Sequence, residues 1–233
     1  MTGSVFLNAA QREAVWLSCS VASMAVLLSI IPAIALAYVL ARRRFPGKSL
    51  VELTIHLGLV LPPVVVGYLL LLVLGNNGVV GRWLDAWFGI SVAFTWWAAV
   101  LAAAVVGFPL MVRSMRLGFH AVDPRLEVAS RSLGAGPCRT FWAITLPLAM
   151  RGIISGCLLG FARSLGEFGA TILFAGNIEG ETRTIPLAIY TEIQRPDGLT
   201  AAGHLALLSV LLAGAALAIG GLVEHRDPSH APA

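Results

Sequence analysis

Charge is scarce in this sequence. Asp, Glu, Lys and Arg together make up 12% of 233 residues, where soluble domains carry about a quarter. Hydrophobic residues make up 58% and the mean hydropathy is +0.84, which excludes a soluble protein and predicts an integral membrane protein. Lysine is nearly absent: Lys48 stands against fifteen arginines. No basic tract with interleaved aromatics occurs outside the apolar runs, so nucleic acid is excluded as a partner and membrane lipid is expected instead. The three cysteines, Cys19, Cys138 and Cys157, have no paired spacing, which argues against both a disulfide framework and a metal site. The five histidines, His56, His120, His204, His225 and His230, have no ligand spacing, and no Ser, Cys and His arrangement suggests a nucleophile. No catalytic residue, metal ligand or bound cofactor is therefore assigned to this chain. Pro46-Gly47-Lys48-Ser49 imitates the end of a phosphate-binding loop, but Arg42 stands where the first glycine is required and no strand precedes it. Energy for any active process must come from another subunit.

What the sequence has in abundance is long apolar runs. A polar lead, 1–14, shows no cleavable signal pattern. Five runs follow, at about 15–41, 53–74, 93–112, 152–176 and 199–223, each of a length that spans a bilayer. A tail, 224–233, ends the chain. Pro62-Pro63 falls in the middle of the second run and predicts a kink. Residues 75–92, with Trp83, Trp87 and Phe88, predict a loop at the membrane interface, and 177–198 predicts a second loop rich in acids. An arrangement with the N-terminus outside and the C-terminus in the cytoplasm puts eleven of the sixteen basic residues in 42–52, 113–151 and the tail. The two outer loops keep three, Arg82, Arg183 and Arg195, which satisfies the positive-inside rule.

The longest polar segment between runs, 123–147, has its own design. Asp123 can cap a helix whose first residue is Pro124, and Glu127 suits the positive end of its dipole. Leu126, Ala129 and Leu133 share one face at spacings of three and four. Gly134, Gly136 and Pro137 stop the helix. Such a helix needs a seat, either the bilayer surface or a cytoplasmic protein.

Ala129, Ser130, Gly134 and, after nine intervening residues, Ile144-Thr145-Leu146-Pro147 resemble the "EAA…G…I-LP" loop of bacterial ABC importer permeases. With Gly134 in register, Val128 occupies the motif's acidic position and Glu127 lies one residue earlier. FPGKSL (45–50), LVLPPVVVGYLLL (59–71), ARSLGEFGATI (162–172) and ETRTIPLAIYTEIQ (181–194) are similar to molybdate transporter permeases, and ARSLGEFGAT also to sulfate and thiosulfate permeases. The resemblance implies an all-α, five-span type I importer permease in a bacterial inner membrane, working as a homodimer. It implies two cytoplasmic ATPase subunits, which use ATP and Mg, and a periplasmic molybdate-binding protein. It also implies that Asp123, Leu126, Glu127, Ala129, Leu133 and Gly134 dock the ATPase. Tungstate is not separable from molybdate by sequence.

Arg163 and Glu167 lie inside the fourth run, four residues apart, and on a continuous helix they neutralise each other. With Pro62 and Pro63 they are candidates for the translocation pathway or its gate. The alternative is a structural ion pair, and the sequence leaves both open. A secondary transporter would need its own coupling site and usually internal repeats, neither of which is visible.

Overall fold

The computed structural model describes residues 8–225, and every element among them is helical. The expectations that fall on 1–7 and 226–233, including Arg226 and His230, lie outside the described residues. Helix α1 (Ala9–Arg42) begins earlier than the first apolar run because Asn8 and Gln11 form a capping box: Gln11 N–H donates to Asn8 Oδ1 at 2.7 Å, and Asn8 N–H to Gln11 Oε1 at 2.9 Å. Polar residues of the lead are thus drawn into the helix. It ends where Arg43 turns to extended backbone.

The second run differs from the single kinked span that the sequence predicts. It forms two helices, α2 (Lys48–Val60) and α3 (Pro63–Leu74), with axes bent by 113°. One proline removes one donor and kinks a helix. Here Pro62 and Pro63 remove two in succession, and Leu61 before them is held extended at ψ 133°, so the helix restarts in a new direction.

The interface loop contains a short amphipathic helix, α4 (Val79–Phe88), whose Trp83, Trp87 and Phe88 are exposed and touch one another. Helix α5 (Trp96–Ala121) is capped by Thr95, whose hydroxyl accepts from Ala98 N–H. It is followed by α6 (Pro124–Ser132) and α7 (Pro137–Thr140). A π-turn over Phe141–Thr145 leads into α8 (Leu146–Leu165). The fourth run, expected to be one span to residue 176, breaks at 166–168 and restarts as α9 (Gly169–Phe174). The second loop carries α10 (Ile185–Ile193), and α11 (Leu199–His225) closes the fold.

Helix α5 is the centre, packed between α1 and α8, while α11 lies against α8 and α3 against α9. Lipid offers apolar side chains no advantage over one another, so helices in a membrane associate by close packing of small residues. That rule is visible in both seams of α5. Ala22, Ala25, Ala33 and Ala37 of α1 are fully covered. On α8 the stripe Gly152, Gly156, Gly160 and Ser164 recurs every four residues and meets Gly118, Met115, Met111 and Gly107 of α5. A Cβ on Gly152 would stand 2.5 Å from the Gly118 Cα, so the backbones cross in contact there.

Among the described residues, four helices are long and apolar enough to cross a membrane: Ala9–Arg42, Trp96–Ala121, Pro137–Leu165 and Leu199–Gly221. The bent pair α2 and α3 makes a fifth if the two halves count as one span. Gly152→Leu should force α5 from α8 at a cost of about 2 kcal/mol or more. Its measure is a lowered unfolding temperature of the detergent-purified permease. Gly203→Ala, at an open position on α11, should leave that temperature unchanged.

Candidate functional site

The segment between α5 and α8 stands out from the bundle as the polar design of its sequence requires. Asp123 Oδ1 accepts the Arg125 N–H at 2.9 Å, with Pro124 at the first helical position. The far end closes on Gly134, held at φ +86°, a conformation that glycine adopts without the strain a Cβ brings. Ala135 N–H returns to the Ser130 carbonyl at 3.1 Å and Gly134 N–H to that of Arg131 at 3.0 Å. Both ends of α6 are therefore set by local chemistry.

Its outer face is open and carries apolar side chains among Arg125 and Ser132. Leu126, Val128, Ala129 and Leu133 are exposed, Leu133 at 90%, and Asp123 and Gly134 share that exposure. Five of the six residues read from sequence as docking residues are thus together on the surface. Glu127 differs: it is 8% exposed and its carboxylate turns toward the bundle. There Arg42, in the last turn of α1, approaches Glu127 Oε1 at 3.2 Å, and the Thr145 hydroxyl of the π-turn donates to the same oxygen at 2.9 Å. Arg42 also donates to the Val122 carbonyl at 2.7 Å. The Ser130 and Thr140 hydroxyls lie 3.2 Å apart on the same underside. A cleft of about 350 Å³ opens beside them, lined by Tyr38, Arg42, Arg43, Pro124, Glu127 and Arg131.

The sequence places Arg42 only in the cytoplasmic basic patch, gives no role to Thr140, and shows Thr145 only as part of the loop signature. Arg42 is one of three consecutive arginines, and only burial separates it from Arg43 and Arg44. Thr145 faces Glu127 across an eighteen-residue separation, and no local pattern reports such a contact.

A second tie joins α2 to α5. Arg116 pairs with Glu52 at 2.9 Å, beside a small cavity of about 30 Å³ lined in part by His56.

The intramembrane pair forms as its spacing suggests, but not on a continuous helix. Arg163 is in the last turn of α8, and Glu167 lies beyond its end. Arg163 Nη1 meets Glu167 Oε2 at 2.8 Å, while Glu167 Oε1 accepts the Ala170 N–H at 2.9 Å and so caps the start of α9. Glu167 is 2% exposed, and the Arg163 side chain keeps 34% of its surface open. Opposite lies the other break. A Cβ on Gly169 would stand 3.0 Å from the Pro63 side chain, and one on Gly67 would stand 2.7 Å from the Ala170 backbone. The fold therefore brings Pro63 against the segment that carries Glu167, and Pro62, next to it, is exposed. Two interrupted helices face each other with one charged pair between solvent and core.

Comparison with known proteins agrees with this architecture. The model of the family of binding-protein-dependent transport system inner membrane components matches residues 17–225. The chain is 55% identical over 215 residues to the molybdenum transport system permease protein ModB of Escherichia coli (strain K12), covering 92% of this chain and 94% of that one. It is 51% identical over 214 residues to ModB of Haemophilus influenzae, covering 92% and 93%. Among solved structures, inward-facing MetNI, a methionine ABC transporter, shares the fold with a TM-score of 0.66 at 16% identity, over 91% of this chain and 93% of that one. With a family match along almost its whole length and several apolar helices, this chain belongs to the binding-protein-dependent transport system inner membrane component family and is a multi-pass inner-membrane protein.

Proposed function

We propose that this chain is the permease subunit of an ABC importer for molybdate. The observation that carries the coupling part of this reading is the face of α6: four apolar side chains held in the open at the end of two long helices, on a helix capped at both ends. Near full-length likeness to molybdenum permeases supports the substrate. Two copies of the chain would enclose the pathway, and two cytoplasmic ATPase subunits, using ATP and Mg, would take the apolar faces of the two α6 helices. A periplasmic molybdate-binding protein would deliver the anion to the loops that contain α4 and α10. In this topology α2 and α3 form one broken crossing, the N-terminus is outside, and the basic loop 113–151 is cytoplasmic, as the arginine distribution favours. The permease itself carries out no bond chemistry; closing of the ATPase dimer moves α6, and the helices rock between outward and inward openings.

The two helix breaks support a place for the pathway. Interrupted helices at membrane depth are tolerated where they line a cavity or are buried in protein. Arg163 supplies a positive group near the break, and Glu167 offsets most of that charge. A dianion would feel a weak attraction, which suits passage better than a tight site from which release is slow. Pro62 and Pro63 hold the facing break open by leaving its backbone without two donors.

Replacing Leu133 with Asp should weaken ATPase association by about thirtyfold, the scale of losing one interface hot spot. Copurification of the ATPase with the tagged permease measures it, and undiminished recovery with Leu133→Asp would remove the docking assignment. Uptake of labelled molybdate by a deletion strain carrying this permease, with its binding protein and ATPase, should be inhibited by unlabelled molybdate and tungstate and only weakly by sulfate. Equal competition by sulfate would change the reading to a general oxyanion permease.

A further inference from the structure

Helix α6 has a single buried residue, and it is the helix's one acid, Glu127. The helix is nine residues long, with extended backbone at Asp123 before it and left-handed backbone at Gly134 after it. Both junctions can act as hinges. No apolar side chain of α6 is buried, so its seating does not come from apolar burial. It comes from directional bonds to one carboxylate oxygen: Arg42 of α1 at 3.2 Å and Thr145 of the π-turn at 2.9 Å. Apolar contact lets a helix slide, whereas a shared carboxylate fixes its distance and rotation at once. Arg42 is anchored in turn on Val122, the residue that joins α5 to α6. Glu127 thus stands where α1, the end of α5 and the start of α8 converge.

We infer that Glu127 is a positioning residue that locks α6 to the ends of these helices, so that a displacement of α6 reaches the spans instead of being lost at the two hinges. The inference rests on the docking role proposed for α6, and it divides that helix by face. Leu126, Val128, Ala129 and Leu133 meet the ATPase, while Glu127 passes the motion inward. The acid lies one residue before Val128 in sequence, and that offset rotates it about 100° around the helix, from the outer face to the inner.

The test uses the whole transporter, permease with ATPase in liposomes supplied with the binding protein. Its readouts are ATPase recovery and molybdate taken up per ATP hydrolysed. Arg42→Ala and Glu127→Ala should each retain the ATPase yet lower uptake per ATP by about tenfold, within the range over which single residues alter coupling. Thr145→Val should act in the same direction but less strongly. Because Arg42 and Glu127 form one unit, the double variant should be no worse than the worse single. Unchanged uptake per ATP in Glu127→Ala, or multiplied losses in the double variant, would overturn the inference. Release of the ATPase by Glu127→Ala would overturn it too, by making the carboxylate a docking group. Should Glu127→Ala fail to assemble, Glu127→Gln removes the charge, keeps an acceptor for Thr145 and reads the same ratio. Retention of the ATPase by Leu133→Asp, by contrast, counts against docking through α6 and leaves the Glu127 result to be read separately.

Discussion

Within a bilayer no water is available to a backbone amide, so each N–H and C=O must find its partner in the protein. Most features of this chain answer to that constraint. The long helices satisfy it internally. The two interruptions satisfy it by local devices: Leu61 N–H still reaches the Leu57 carbonyl before the double proline, Val65 N–H takes that of Pro62 after it, and the Glu167 carboxylate supplies the Ala170 amide at the other break. A carboxylate at that depth needs a counter-charge, and Arg163 provides it. The ion pair thus answers a demand that breaking a helix creates, and this structural reading is compatible with the pathway role proposed for Arg163 and Glu167.

Close packing around α5 follows from the same environment. Alanines on α1 and a glycine stripe on α8 let three backbones approach, giving a close-packed centre with the segment that contains α6 at one end. That segment leaves its apolar side chains exposed among Arg125, Arg131 and Ser132, and what ties it to the body is polar. This reverses the usual amphipathic arrangement, in which the apolar face is buried. Under the docking role proposed for α6, the exposed apolar side chains are free for a partner, while hydrogen bonds and an ion pair fix orientation.

Much of the segment around α6 was legible from local chemistry. Asp123, Pro124, Gly134 and Gly136 mark the ends of α6 because caps, missing donors and left-handed backbone are properties of single residues. The exposed tryptophans of α4 and the location of the first helix break were legible for similar reasons, since a double proline disrupts a helix by itself, whereas the second break falls in a run expected to be one span. The angle of the first break was not. Nothing local states that α3 leaves α2 at 113°, because the direction is set by its packing on α9, with Gly67 against Ala170. The π-turn over Phe141–Thr145 was also invisible, as an extra residue in a helical turn leaves no compositional trace.

The sequence by itself determined the membrane class, the family and the extent of α6, because these depend on composition, on capping and on short fixed spacings. Tertiary structure decided the role of each charge. Glu127 read as a docking acid at the start of a helix, and only the arrival of Arg42 from 85 positions earlier and Thr145 from 18 positions later turned it inward. A residue's polarity is written in the chain, but its partner is chosen by the fold, since an ion pair stabilises only where packing brings both charges out of water together.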